Sequence, residues 1–117
     1  MELEDLVRAL LGYDALSARA WVAEAVRHGM RWTDLRAPEG LDATALAVAA
    51  GVAEMLAARA GQVPPPWTSL VAAAPAPVYL VRAAAVMPRL RQSCEEEGPE
   101  PLRRRRVYAP PEFLTAA

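Results

Sequence analysis

Four consecutive arginines, Arg103–Arg106, are the densest chemistry in the chain. A guanidinium is planar and permanently charged, and it matches a carboxylate or a phosphate with two parallel hydrogen bonds. The run is bracketed by Pro101-Leu102 and Val107-Tyr108, and Phe113 and Leu114 follow shortly after. A disordered basic tail does not normally carry such side chains at its end. Tyr108, Phe113 and Leu114 are therefore expected to dock and to present the arginines from an ordered arm. Glu95–Glu97 oppose the dipole at the end of their helix, which points to fraying there or to engagement with positive charge, for which this run is the nearest candidate.

The other reactive side chains form no catalytic pattern. There is no glycine-rich phosphate loop, no plausible Ser/His/Asp set and no HExxH. Cys94 is the only cysteine and His28 the only histidine, so no disulfide framework and no cysteine-based metal site is expected. Cys94 stands beside glutamates, which raise a thiol pKa. No catalytic residue, metal ligand or cofactor is expected, and the chain reads as a binding protein. Arg103, Arg104, Arg105, Arg106, Tyr108 and Phe113 are the expected partner-binding residues.

These residues need a scaffold, and composition indicates a folded one. The chain has 117 residues, 54% of them hydrophobic, and a formal net charge of −1. That length supports one domain with a modest core. No apolar run approaches the ~20 residues of a membrane span, and the start MELEDL is acidic, unlike a secretory signal. A cytoplasmic location without membrane contact is expected. Every one of the 13 basic residues is arginine. With the alanine excess this points to a GC-rich genome, so arginine number alone carries no function.

The organising element is Leu41–Gly61. Asp42 is a good N-cap, Leu41 and Leu46 form a hydrophobic staple, and Gly61 supplies a helix stop. The spacing predicts a long central helix over about 43–60, roughly 27 Å in length. Leu46, Ala49, Ala50, Ala53, Leu56, Ala57 and Ala60 form an apolar stripe that Ala45, Val48, Val52 and Met55 widen, so the helix should be nearly enclosed. Thr44, Glu54 and Arg59 are assigned to water. Ala47, Gly51 and Ala58 allow a close crossing, with Gly51 at its centre. The same small-residue face could close a homodimer.

Before it, Leu3, Leu6, Val7, Leu10 and Leu11 predict a first short helix ended by Gly12. A second runs from Asp14 or Ser17 to about His28, with Leu16, Ala20, Ala23 and Ala25–Val26 inward and Gly29 as its stop. The following MRWTDL invites a helix-turn-helix reading. Glu24 and His28 stand where that motif needs apolar residues, Pro38 would break the recognition helix, and Asp34 would face phosphate. A single turn with Trp32 and Leu35 on the core is expected instead.

After the central helix, Pro64-Pro65-Pro66-Trp67 reads as a stiff connector ending in an anchoring tryptophan. A helix over Val78–Met87, packing Leu80, Val81, Ala84 and Ala85, and another over Pro88–Glu97 complete an all-α, compact single-domain helical bundle with Pro-rich connectors. The predicted division is a helical domain over 1–102 and an Arg-rich C-terminal arm over 103–117.

The alanine-rich helix, the PPPW connector and the closing PLRRRRVYAPPEFL together resemble a small helical module of antitoxin-type proteins. These are encoded beside nucleotidyltransferase-fold toxins of the AbiEii-like group. The resemblance spans roughly residues 42–114. It implies a non-catalytic neutraliser whose protein partner is such a toxin. Some of those proteins carry the module after a true helix-turn-helix domain, which these first forty residues do not provide. Nucleotidyltransferase sites gather carboxylates, metal ions and triphosphate. An arginine arm could pair with the carboxylates or take the phosphate subsite. The alternative is a nucleic-acid-associated regulator using Arg103–Arg106 with Arg89 and Arg91 on phosphates, or a plain helical homodimer.

Overall fold

Helix α3, Ala43–Arg59, runs through the centre of the computed structural model, which describes residues 2–115. Asp42 caps it, its carboxylate accepting the backbone N–H of Ala45 at 2.8 Å. Gly61 takes the left-handed conformation (φ 67°) that turns the chain away. From Ala47 to Ala57 every residue is buried, so the helix is enclosed all round, as its apolar circumference requires. Glu54, expected in water, is among them.

The close crossing expected at Gly51 is with helix α5, Glu100–Arg103. A Cβ there would lie 2.8 Å from Leu102 Cδ2 and 3.2 Å from the Pro101 carbonyl oxygen. The small-residue face therefore packs within the chain, and Ala47 and Gly51 are not available to a second copy.

Helix α1, Leu3–Leu11, lays Leu3, Leu6, Val7 and Leu10 on α3, while Leu11 stays partly exposed. Tyr13, rather than Gly12, supplies the left-handed residue (φ 58°) that ends it. Helix α2, Ala15–Arg27, is capped by Asp14 on the Ser17 N–H. It buries Ala18, Val22 and Ala25, not the expected Leu16, Ala20 and Ala23. The helix carries two apolar stripes on opposite sides, and packing on α1 selects the one with smaller side chains. Leu16 and Val26 are left 81% and 62% exposed.

A single 3-10 turn, Trp32–Asp34, replaces any recognition helix, and Trp32 is buried. Trp67 opens out of the proline connector into a second such turn, Pro66–Leu70, and donates its indole N–H to the Leu35 carbonyl at 2.9 Å.

The helix expected over Val78–Met87 does not form. Val78–Tyr79 is strand β1, paired in parallel with β2, Val107–Tyr108, in the register Val78 to Val107 and Tyr79 to Tyr108. A 3-10 turn, Arg82–Ala85, follows. Val78 and Tyr79 suit a pleated backbone, and the β2 segment supplies the partners, the Arg106 carbonyl accepting from Val78 N–H and the Tyr108 carbonyl from Leu80 N–H, both at 2.9 Å. The class is thus mostly helical with one short strand pair, rather than strictly all-α. Helix α4, Pro88–Glu97, forms as expected with proline at its first position.

The division at residue 102 cuts through α5. Beyond it, Val107, Ala109 and Leu114 belong to the same core as α1 and α3. The radius of gyration, 13.1 Å, is that of one domain of this length, about 13 Å. No helix among the described residues is long and apolar enough to cross a membrane.

Candidate functional site

The arginine run is a tight turn between α5 and β2, and its four side chains have four different environments. Arg105 points inward. It is 6% exposed and reaches Glu54 on α3, which is 7% exposed. Its Nη1 donates to Oε1 of Glu54, its Nη2 to Oε2 at 3.0 Å, and Nη2 also donates to the Thr68 carbonyl at 2.7 Å. This fork-on-fork geometry is the strong form of an ionic hydrogen bond. Arg105 Nε is the one buried side-chain nitrogen or oxygen without a partner among the described residues.

Arg104 is half-exposed and also lies on Glu54, with Nη2 2.5 Å from Oε1, while Nη1 stands 3.5 Å from Glu100. Burial alone would push the Glu54 carboxyl up. Hydrogen bonds from Arg105 and then Arg104 outweigh it and hold the group below its ordinary range. The same Glu54 contact raises Arg104. Arg103 donates through Nε to the Gly98 carbonyl at 2.7 Å. Arg106 takes a left-handed backbone (φ 62°), is exposed, and donates to the Pro75 carbonyl at 3.0 Å.

The expected partner of the run, Glu95–Glu97, is not its partner. Glu95 accepts the Tyr79 hydroxyl and stands 3.6 Å from Arg91, whose guanidinium lies 5.0 Å from the Tyr79 ring centre. Tyr108 stacks on Tyr79 with ring centres 5.3 Å apart. Cys94 is fully buried, and burial pushes its thiol up, followed by the charge of Glu95. Such a thiol is a poor nucleophile.

Phe113 and Leu114 close the fold at another edge. Arg59, exposed as expected, donates to the backbone carbonyls of Phe113 and Pro111 and holds this final turn against the end of α3. Phe113 lines a groove of about 520 Å³ between the α1–α2 turn, the segment after β1 and the final turn. A second groove of about 390 Å³ adjoins it and shares Tyr13, Val81 and Arg82, so the two form one furrow. Arg82 stacks over Tyr13 at 5.1 Å from the ring centre. Tyr13 and Arg82 were not legible as surface residues of interest. The only sequence signal was Tyr13, a bulky residue where a helix normally ends on glycine. Of the expected partner-binding residues, Phe113 alone reaches the furrow. The arginines lie elsewhere.

No protein-family model, curated protein or solved structure matches this chain.

Proposed function

We propose that this chain is a non-catalytic protein-binding module, an antitoxin-like neutraliser of a nucleotidyltransferase-fold toxin, with Arg104 and Arg106 as the cations offered to the toxin. One observation carries the reading: Arg105 is fastened to Glu54, so its neighbours on the turn stand at the surface on a fixed backbone. Ordering a flexible arginine on binding costs about 0.5–1.5 kcal/mol per side chain, and an anchored turn reduces that cost. Within the expected set, Arg105 is then the anchor, and Arg103 is tied back to Gly98. Carboxylates around a metal site, or the oxygens of a phosphate subsite, are the groups such guanidiniums fit.

Calorimetric titration against a nucleotidyltransferase-fold toxin of the AbiEii-like group tests it. Arg104→Gln and Arg106→Gln should each weaken binding about tenfold, equivalent to about 1.4 kcal/mol; the thermal midpoint of the free protein should be little changed by Arg106→Gln and lowered by Arg104→Gln, which also removes a contact from Glu54. Undiminished affinity in both variants would refute the role. Binding to mixed-sequence duplex DNA that collapses with added salt would favour the regulator reading, because phosphate contacts release counterions.

A further inference from the structure

We propose that the smaller groove of the furrow, about 390 Å³, binds a phosphate monoester carried on an aromatic body, and that this ligand is a nucleoside monophosphate. This goes beyond the proposed function, which uses the arginine turn and a protein partner.

Charge is the first argument. Tyr13, Tyr79, Arg82 and Arg91 line this groove, and no carboxylate among the described residues does. The adjoining groove sets Asp14 and Glu112 against its two arginines, Arg19 and Arg82. Unbalanced positive charge is therefore confined to the smaller one, and it selects an anion.

Unused donors are the second. The Arg82 guanidinium lies 5.1 Å from the centre of the Tyr13 ring and makes no salt bridge among the described residues. Arg91 lies 5.0 Å from the Tyr79 ring centre. It meets the Tyr79 hydroxyl and Glu95 through Nε, at 3.4 and 3.6 Å, so its terminal nitrogens remain to donate. Stacking on a ring fixes a guanidinium plane without consuming its N–H groups. Two such planes beside one groove are pre-set for an oxyanion, which takes parallel hydrogen bonds from a guanidinium fork.

Helix α4 supplies the third. The start of a helix favours negative charge, yet the first turn of α4 has no acidic residue and no side-chain cap, and it carries Arg89 and Arg91. The helix packs on the 3-10 turn that bears Arg82, and Met87 donates its N–H to the Ala83 carbonyl at 3.0 Å. Arg82 and the helix start are thus held on one bend. Cations gathered at a positive helix end conflict with local electrostatics, and such conflicts concentrate at functional sites. A bound anion relieves this one.

The remaining lining chooses among anions. Leu11, Val78, Val81 and Ala84 are apolar, so the ligand must bring an apolar body with its charge. The volume stands near the small end of the roughly 300–1,000 Å³ of ligand sites, which suits one small molecule better than a chain. A phosphate monoester brings a charge of about −1.5 to −2 at pH 7 and three acceptor oxygens, more than a carboxylate offers to two forks and a helix start. A planar base adds stacking on guanidinium and tyrosine faces, which an aliphatic phosphate lacks.

Calorimetric titration of the full chain with adenosine monophosphate at low salt tests the inference, beside adenosine, inorganic phosphate and free phosphotyrosine. The nucleotide should bind with a Kd below about 1 mM, and adenosine and inorganic phosphate about tenfold more weakly or worse. Arg82→Gln and Arg91→Gln should each weaken the nucleotide about tenfold, with circular dichroism confirming an unchanged helix content. Arg104→Gln leaves this groove untouched and should leave nucleotide affinity as it is, so a failed nucleotide site and a failed toxin contact are read separately. A nucleotide that does not bind overturns the inference, as does affinity that survives both substitutions. Adenosine binding as tightly would remove the phosphate from the site, and inorganic phosphate binding as tightly would show an adventitious ion only. Phosphotyrosine binding more tightly than the nucleotide would overturn the nucleotide assignment in favour of a phosphorylated peptide.

Discussion

Arg105 sets both of its terminal nitrogens on the carboxylate of Glu54, 51 residues earlier in the chain. Both groups are buried, so the pair ties the last third of the chain to the central helix at one point. A charge pair in an apolar interior is seldom strongly stabilising against an apolar alternative, because both ions lose water. Arg105 Nε, left without a partner, adds about 1–3 kcal/mol of uncompensated desolvation. The pair's importance is that neither member tolerates the loss of the other.

Removing one member should therefore be severe. Glu54→Leu alone leaves a buried guanidinium, and Arg105→Met alone leaves a buried carboxylate beside Arg104. Each should cost about 3–5 kcal/mol in urea unfolding. Glu54→Leu with Arg105→Met should recover most of that loss, because two apolar side chains fill the space without stranded charge. A double-mutant cycle with no coupling would show that the pair does not act as a unit.

Acid should act through the same group. Glu54 is held below its ordinary value near 4.5 in the folded state, so the unfolded chain binds the proton more readily. Its contribution is fully present above about pH 5 and lost as the pH falls through the depressed native value. Asp14 and Glu24 are lowered too, Asp14 by Ser17 and Glu24 by His28, and titrate in the same direction. The stability gap between the wild type and Glu54→Gln isolates Glu54. That gap should be widest near neutrality and close progressively in acid. A gap constant down to about pH 3 would contradict the assignment.

Gly51→Ala opposes helix propensity to packing. Alanine gains about 1 kcal/mol in a helix interior, but its Cβ would sit 2.8 Å from Leu102 Cδ2 and 3.2 Å from the Pro101 carbonyl oxygen. Overpacking of this kind costs about 1–3 kcal/mol, so the variant should melt at a lower temperature than the wild type. Leu102→Val in the same chain removes part of the clash and should regain part of the midpoint. A single Gly51→Ala variant that melts higher would mean that α5 slides aside freely.

What could be read in advance follows the range of each interaction. Asp42, Gly51 and Gly61 announce α3 because caps, close crossings and stops are local chemistry, and the helix has its expected ends to within a residue. Glu54 sits on that same helix and was assigned to water, because its partner lies 51 residues further along the chain. Val78 and Tyr79 were read as helix from the spacing of Leu80, Val81, Ala84 and Ala85. The strand exists only because Val107 and Tyr108 come alongside, and no local window contains both segments. Helix α2 offers two apolar stripes of similar strength, and periodicity cannot choose between them until α1 is in place. The arginine run was conspicuous as a group, but its members part company through tertiary contact alone. Arg105 turns in beside Arg104 and Arg106, which stay out.

The parallel pairing of β1 with β2 also governs when this protein can mature. Its hydrophobic interior lacks Val107, Ala109 and Leu114, and Glu54 lacks its counterion, until a ribosome has released those late residues from its exit tunnel. A nascent chain stopped after α4 would hold a buried acid without its cation and an orphan strand edge, which makes it a ready substrate for chaperones and proteases.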